Sequence, residues 1–346
     1  MEIALAEKHI HFDKNKFLID LSAGAGMIDQ AVQMGESFAN DGVHRLLMVG
    51  CGAPHYMFRA INTWIGYESN AGSTAVIYPG DMMHARYLPD ENTAIIFGSH
   101  SGKTTETVQA ARSLNDKKGK SIAITQHKDS PLGENVQEVL AYGSTEQGYF
   151  TSVMLTLAMV SGFLKNTSSS WNLHEKLIAS LRSLPEALAA AKQSSISIGI
   201  ENANTLQNAS ALHVIGNGPM YTTAYVFAAC FLMEMQRMHA HPMHALDFFH
   251  GPFEMMDDAS RIILLKGEGI FRPDSERVRQ FCDNYLGGGC LVYDSKTFAM
   301  PGIDPKIRPI AAPFVVDAAM TNLVEQLAIL RAHPLDTRRY MGKVDY

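Results

Sequence analysis

One short pattern constrains this chain more than any other, because it occurs twice. Val49-Gly-Cys-Gly52 and Ile215-Gly-Asn-Gly218 each close a short apolar run and open a stretch of helical periodicity. A strand, a Gly-x-Gly turn and a helix, repeated at a separation of about half the chain, predict one α/β unit used twice. Around the first copy, apolar runs at 45–50, 73–78, 93–97, 121–125 and 138–142 alternate with helical segments at 26–40, 56–67 and up to about 114. Residues 150–164 read as a helix buried on most sides. The second copy has strands at 211–215, 261–265 and 290–293, with helices from 221, at 275–285 and at 318–330. Strands alternating with helices predict parallel sheets covered on both faces, a three-layer, flavodoxin-like α/β fold.

Asn166-Thr-Ser-Ser-Ser170 is a polar break, and a helical region at 174–206 follows it, interrupted near Ser194. The expected division is a first domain at 26–165, linker helices at 166–206, a second domain at 207–330 and a tail at 331–346. Residues 1–20 carry no clear pattern.

With 346 residues, 46% apolar and 18% charged, the chain can bury a sizeable core. A net charge of −6 argues against nucleic acid as a partner. Cys51, Cys230, Cys282 and Cys290 form no C-x-x-C pair and read as reduced thiols in a cytoplasmic protein. The first residues lack the basic start and apolar stretch of a signal peptide. No apolar run reaches the ~20 residues that span a bilayer, so no membrane partner is expected.

Ser99-His-Ser-Gly-Lys-Thr-Thr-Glu-Thr107 follows a strand and opens a helix. Small residues let backbone N–H groups approach an anion, the helix start adds partial positive charge, and the hydroxyls add donors. A helix cap alone needs fewer hydroxyls than this. Gly98 and Gly102 leave three residues between them, one short of a nucleotide P-loop. The two Gly-x-Gly turns also lack the third glycine of a dinucleotide fingerprint; His55 and Tyr221 stand there. His239, His241, His244 and His250 invite a metal reading, but no thiolate is close in sequence and Pro242 breaks any helix that would align them. No metal or other cofactor is expected.

Glu234 is a lone carboxylate in the apolar run 225–235, and His250 precedes Gly251-Pro252, where the chain must turn. A carboxylate and an imidazole are the usual tools for moving protons on and off carbon and oxygen. A buried carboxylate needs a partner, so pairing with an arginine is the plain alternative for Glu234. A turn cap is the plain alternative for His250.

Taken together, the strand before Ser99-His-Ser-Gly-Lys-Thr104, the internal duplication and the Glu234…His250-Gly-Pro pair resemble the double sugar-isomerase (SIS) family. The likeness covers nearly the whole chain from about residue 26. Phe-Leu-Met-Glu234-Met-Gln, Phe248-Phe-His-Gly-Pro-Phe-Glu254 and the long segment from His333 to Tyr346 resemble its bacterial deglycases of phosphorylated Amadori compounds. The resemblance implies two tandem SIS domains. It implies that Ser99, His100, Ser101 and Thr104 hold a sugar phosphate and that Gly52 touches the open-chain sugar. Glu234 would shuttle a proton between C1 and C2. His250, from a partner subunit, would assist ring opening, and Lys343 would enter the site from the tail. Gln147 and Arg339 complete the candidate substrate contacts. The family also implies a homodimer or larger homo-oligomer.

Phe231 stands where glucosamine-6-phosphate synthase of the same family carries a lysine, which favours the deglycase branch over amide-transfer-coupled chemistry. Relatives carry Ser or Thr just after Cys-Gly; here Ala53 and Pro54 follow. The expected activity is cleavage of a fructosamine 6-phosphate to glucose 6-phosphate and an amine or amino acid. The alternatives are a ketose–aldose or aminosugar-phosphate isomerase and a non-catalytic phosphosugar sensor. The ~25 residues before the first unit are too few for the helix-turn-helix that such sensors carry.

Overall fold

The computed structural model describes residues 9–69, 73–84, 89–114, 119–287 and 290–345. Residues 1–8, on which the leader-peptide reading rests, lie outside it. The chain divides into two compact units. Of the described residues, the first holds those within 15–186 and 302–310; the second holds those within 9–14, 187–301 and 311–345.

In the first unit, α1 (Lys14–Gly26) and α2 (Ile28–Asn40) precede β1 (Arg45–Gly50). Then follow α3 (Ala53–Glu68), β2 (Ser73–Ile77), α4 (Pro79–His84), β3 (Thr93–Gly98), α5 (Thr105–Arg112), β4 (Lys120–Thr125), β5 (Glu138–Ala141), α6 (Gly148–Thr167) and the start of α7 (His174–Ser194). All pairings are parallel, in the order β2-β1-β3-β4-β5. That is the flavodoxin-like order, whose ligand crevice lies at the carboxyl ends of β1 and β3, where the strand order reverses. β3 is buried at every position, as a central parallel strand must be. One face packs Leu47, Val49, Ile95 and Phe97 against Val108, Ala111 and Leu132. On the other, α2 and α6 cross at backbone distance: a side chain on Gly35 would strike the carbonyl of Met159, and one on Gly162 that of Val32.

The second unit repeats the plan. Its elements are the end of α7, α8 (Ile196–Leu206), β6 (Leu212–Gly216), α9 (Pro219–Val226), β7 (Ala240–His244), α10 (Ala245–Phe248), β8 (Ile262–Lys266), α11 (Arg272–Tyr285), β9 (Cys290–Asp294) and α12 (Arg308–Leu330), which enters it at residue 311. The sheet is again parallel, β7-β6-β8-β9, the first unit's order without its last strand. Ile215, Leu264, Phe248, Val278 and Cys282 form its core.

The duplication extends to single residues. Gly52 (φ 59°, ψ −135°) and Gly218 (φ 52°, ψ −129°) have nearly the same left-handed backbone, each with a proline in the first turn of the helix that follows. Three residues after these glycines stand His55 and Tyr221. By register, Ile77 pairs with Val49 and Met243 with Ile215, so Tyr78 and His244 are equivalent. His55 stacks on Tyr78 at 3.7 Å, and Tyr221 meets His244 edge-on at 5.4 Å. The same ring pair is kept with its members exchanged.

Four sequence expectations need correction. Residues 240–244 form a strand that the periodicity did not announce, because β7 is an edge strand paired with β6 alone and so tolerates Pro242. The last helix begins at Arg308, ten residues early; it continues through Pro313, whose carbonyl accepts a hydrogen bond from Thr223 Oγ1 at 3.1 Å. Residues 1–20, which carry no clear sequence pattern, hold the first half of α1. Finally, α6 and α12 are long and apolar enough to cross a membrane by length and composition. Their most apolar windows are 83% and 72% buried within the protein, so the apolarity is that of core helices.

Candidate functional site

At the carboxyl ends of β1 and β3, Gly50 and Gly98 are register partners, and two loops leave side by side. After β1 the chain turns through Gly52, whose open side meets no atom within 4 Å. After β3 comes the hydroxyl loop. Ser99 is buried and shares a 2.9 Å hydrogen bond with Thr104 Oγ1, closing the loop on itself. Ser101 and Lys103 are exposed, and the Lys103 amide donates to Ser101 Oγ. Gly102 takes φ 65°, and a side chain there would collide with Ser130. Its carbonyl accepts from the Leu132 amide, and Thr125 Oγ1 donates to the His100 carbonyl. The loop is therefore preformed, with α5 beginning at its end.

His100, exposed like Ser101, also has a partner outside the loop. Its Nδ1 lies 2.7 Å from the Tyr142 hydroxyl, which also accepts from Ser152. Burial lowers the imidazole's pKa and pushes the Tyr142 phenol up to about 12. The ring lies against Gly148, the first residue of α6, where any side chain would displace it. Gln147 stands at the N-cap position of that helix without a side-chain capping bond, and its backbone N–H donates to Thr145 Oγ1 at 3.0 Å.

The second unit's equivalent crevice is closed. A side chain on Gly218 would meet the Phe271 ring at 2.6 Å, where the same position on Gly52 faces open space. Asn217 Nδ2 donates to the Phe271 carbonyl at 2.9 Å and to Asp274 at 2.6 Å, pinning the ring in place. Beyond it, Lys266 and Arg272 pair with Glu276 and Asp294. Burial alone would raise the Asp294 carboxyl; Arg272, the Lys296 amide and Lys266 outweigh it and bring it to about 2. This unit answers its own charges where the first presents a cradle.

Glu234 lies in the second unit on a π-helical stretch, Phe227–Met235, that continues α9. The Gln236 amide reaches back five residues to the Phe231 carbonyl. π-Segments are rare and are frequently found at functional sites. Two residues past the end of the stretch, Arg237 takes φ 52°, a strained value for a residue with a β-carbon. Glu234 Oε1 pairs with Arg338 Nη2 at 2.8 Å, so the arginine alternative holds and the carboxylate is not alone. The pair remains 26% and 21% exposed, Glu234 the more open. It lines a cavity of about 560 Å³ together with Met233, Met238, Arg339 and Tyr340.

Tail anchors hold this arrangement. Gln236 Nε2 donates to the His333 carbonyl at 2.9 Å, and Arg338 Nη1 donates to the Leu335 carbonyl at 2.6 Å. Behind the cavity wall, burial and the Glu234 charge push the Cys230 thiol up to about 12, so it is no nucleophile. Arg339 and Lys343 are exposed. His250 is exposed on the turn after α10, and no described residue hydrogen-bonds its ring. Among the described residues no group of three or more His, Cys, Asp or Glu side chains is arranged to hold a metal.

Sequence reasoning singled out Glu234, His250 and the hydroxyl loop. It missed that Arg338 pairs with Glu234, a contact across some hundred residues of chain that no local pattern encodes.

The SIS domain family matches residues 42–165. The chain is 33% identical over 258 residues to the fructosamine deglycase FrlB of Bacillus subtilis (strain 168), covering 74% of this chain and 78% of that protein. It is 30% identical over 341 residues to an agropine synthesis conjugase of Rhizobium rhizogenes, covering 94% and 93%. A Bacillus subtilis crystal structure assigned to the phosphosugar isomerases superposes with a TM-score of 0.83 at 28% identity, over 92% of this chain and 100% of that one. With its duplicated parallel sheets, its hydroxyl loop after β3 and these relatives, the chain belongs to the SIS family of phosphosugar-processing enzymes.

Proposed function

We propose that the protein is a deglycase that cleaves a fructosamine 6-phosphate to glucose 6-phosphate and an amine or amino acid. The observation that carries the reading is Glu234: a carboxylate with one oxygen held by Arg338, on the wall of a cavity large enough for a small substrate. The fructosamine deglycase relative supports the same chemistry.

In this reading the Ser99–Thr104 loop takes the phosphate, with Ser101 and the backbone amides as donors. His250, supplied by a neighbouring copy in a homodimer, assists opening of the sugar ring. Glu234 takes a proton from C1 as the C2 carbonyl oxygen gains one, leaving an enaminol, and returns its proton to C2 as the nitrogen gives up its own. The C1–N bond is then an imine. Water adds at C1, the C–N bond breaks, and the nitrogen leaves with a proton as the free amine. Arg339 and Lys343 line the approach from the tail.

Fructosamine 6-phosphates incubated with the enzyme should release glucose 6-phosphate, measured by a coupled dehydrogenase assay. Glu234→Gln should lower kcat by at least about 10³-fold with KM little changed, the mark of a group that acts only in the transition state. Near-normal turnover in that variant sinks the role. The second reading, a ketose–aldose isomerase, is favoured by the likeness to the phosphosugar isomerase structure. Fructose 6-phosphate converted to glucose 6-phosphate, with no amine released from the aminated substrate, would establish it instead.

A further inference from the structure

We propose that Arg338 is a positioning residue for the proton shuttle: it fixes Glu234 by one oxygen and leaves the other to carry the proton. The inference rests on the reading of Glu234 as the shuttling carboxylate and adds the part that aims it.

Three observations lead there. First, Arg338 is itself held at two atoms. Its Nη2 faces Glu234 Oε1 at 2.8 Å while its Nη1 donates to the Leu335 carbonyl at 2.6 Å, so the guanidinium spans the carboxylate and the tail backbone. Second, the tail that carries it is tied to the segment that carries Glu234. Gln236, fully buried and two residues past Glu234, donates to the His333 carbonyl, and Arg331 Nη2 donates to the Gln236 carbonyl at 3.3 Å. Third, no described residue hydrogen-bonds Glu234 Oε2.

A glutamate side chain has three rotatable bonds, and a shuttle must reach two adjacent carbons without wandering. A planar guanidinium with a second anchor removes that freedom in a way an ammonium cannot. Arg338 touches no reacting atom in this account; it acts through Glu234.

The test is a double-mutant cycle read by glucose 6-phosphate release, with Arg338→Gln, Glu234→Gln and the double variant. Arg338→Gln is expected to lower kcat about 30- to 300-fold with KM within about 3-fold. The double variant is expected to be no worse than Glu234→Gln, because residues acting as one unit are not additive. Arg338→Lys should recover less than about a tenth of the lost rate, since it cannot span both partners. Millimolar guanidinium ion added to Arg338→Gly should restore turnover saturably, which a merely structural residue would not allow.

Additive losses in the cycle, or full activity in Arg338→Lys, overturn the proposal. If no fructosamine 6-phosphate is cleaved, the deglycase reading falls by itself. The same cycle is then read by exchange of the C1 proton of fructose 6-phosphate in heavy water. Absence of an effect of Arg338→Gln on that exchange overturns the positioning role. Should Arg338→Gln fail to fold by circular dichroism, the lysine variant and the guanidinium rescue decide.

Discussion

Asp317 shows how much one side chain can weigh. It is 2% exposed in α12, its Oδ1 has no hydrogen-bond partner, and burial raises its pKa to about 7 against a modest opposing pull from Lys192. The folded-state value lies above the unfolded one. Its stability contribution is therefore complete below pH about 4 and is lost as pH rises toward 7, because the unfolded chain ionises first. Three pKa units correspond to a loss on the order of 4 kcal/mol. Asp317→Asn should match the wild type in urea unfolding near pH 4 and exceed it by a few kcal/mol at pH 8; parallel curves across that range would reject the assignment. The two turn glycines offer a second comparison. Both combine a positive φ with ψ near −130°, a region side chains rarely adopt, so alanine at either costs about 1–3 kcal/mol in backbone strain. At Gly218 the new methyl also meets Phe271, adding about 1–3 kcal/mol of overpacking, whereas at Gly52 it points into open space. Thermal unfolding should rank Gly218→Ala well below Gly52→Ala, while turnover should rank them the other way.

At the scale of the element, the π-helical stretch sets the direction of Glu234. The wider turn places the carboxylate on the cavity wall while Phe227, Ala228 and Leu232 remain in the core. Its sequence, Phe-Ala-Ala-Cys-Phe-Leu-Met-Glu-Met, has ordinary helix formers throughout and gives no sign of the extra residue in each turn. Deleting Met233, which is 39% exposed, should let the segment relax to an α-helix and turn Glu234 by about 100°. The expected result is a folded protein by circular dichroism with turnover reduced at least about 10³-fold. Retained activity would mean that the π geometry does not aim the carboxylate.

For the whole molecule, duplication did not preserve two sites. One switch-point crevice keeps an open glycine turn and a hydroxyl loop; its counterpart is filled by Phe271 and closed by the Lys266, Arg272, Glu276 and Asp294 charges. Calorimetric titration with fructose 6-phosphate should therefore give one equivalent per chain, abolished by replacing Ser101 and Thr104 with alanine. Two equivalents would show that the second crevice also binds.

By itself the sequence determined the class of fold, the repeat and the loop. Short apolar runs ending in Gly-x-Gly carry their own periodicity, and a hydroxyl-rich loop before a helix is local chemistry. It also pointed to Glu234, because a carboxylate in an apolar run is conspicuous. Tertiary structure alone decided which of the two equivalent turns stays open, since that depends on where the Phe271 ring falls. It alone gave β7 its edge position, which makes Pro242 acceptable in a strand. It alone joined Arg338 to Glu234, because an ion pair between distant parts of a chain is fixed by how the tail folds back, and residue order encodes that only through the whole packed unit.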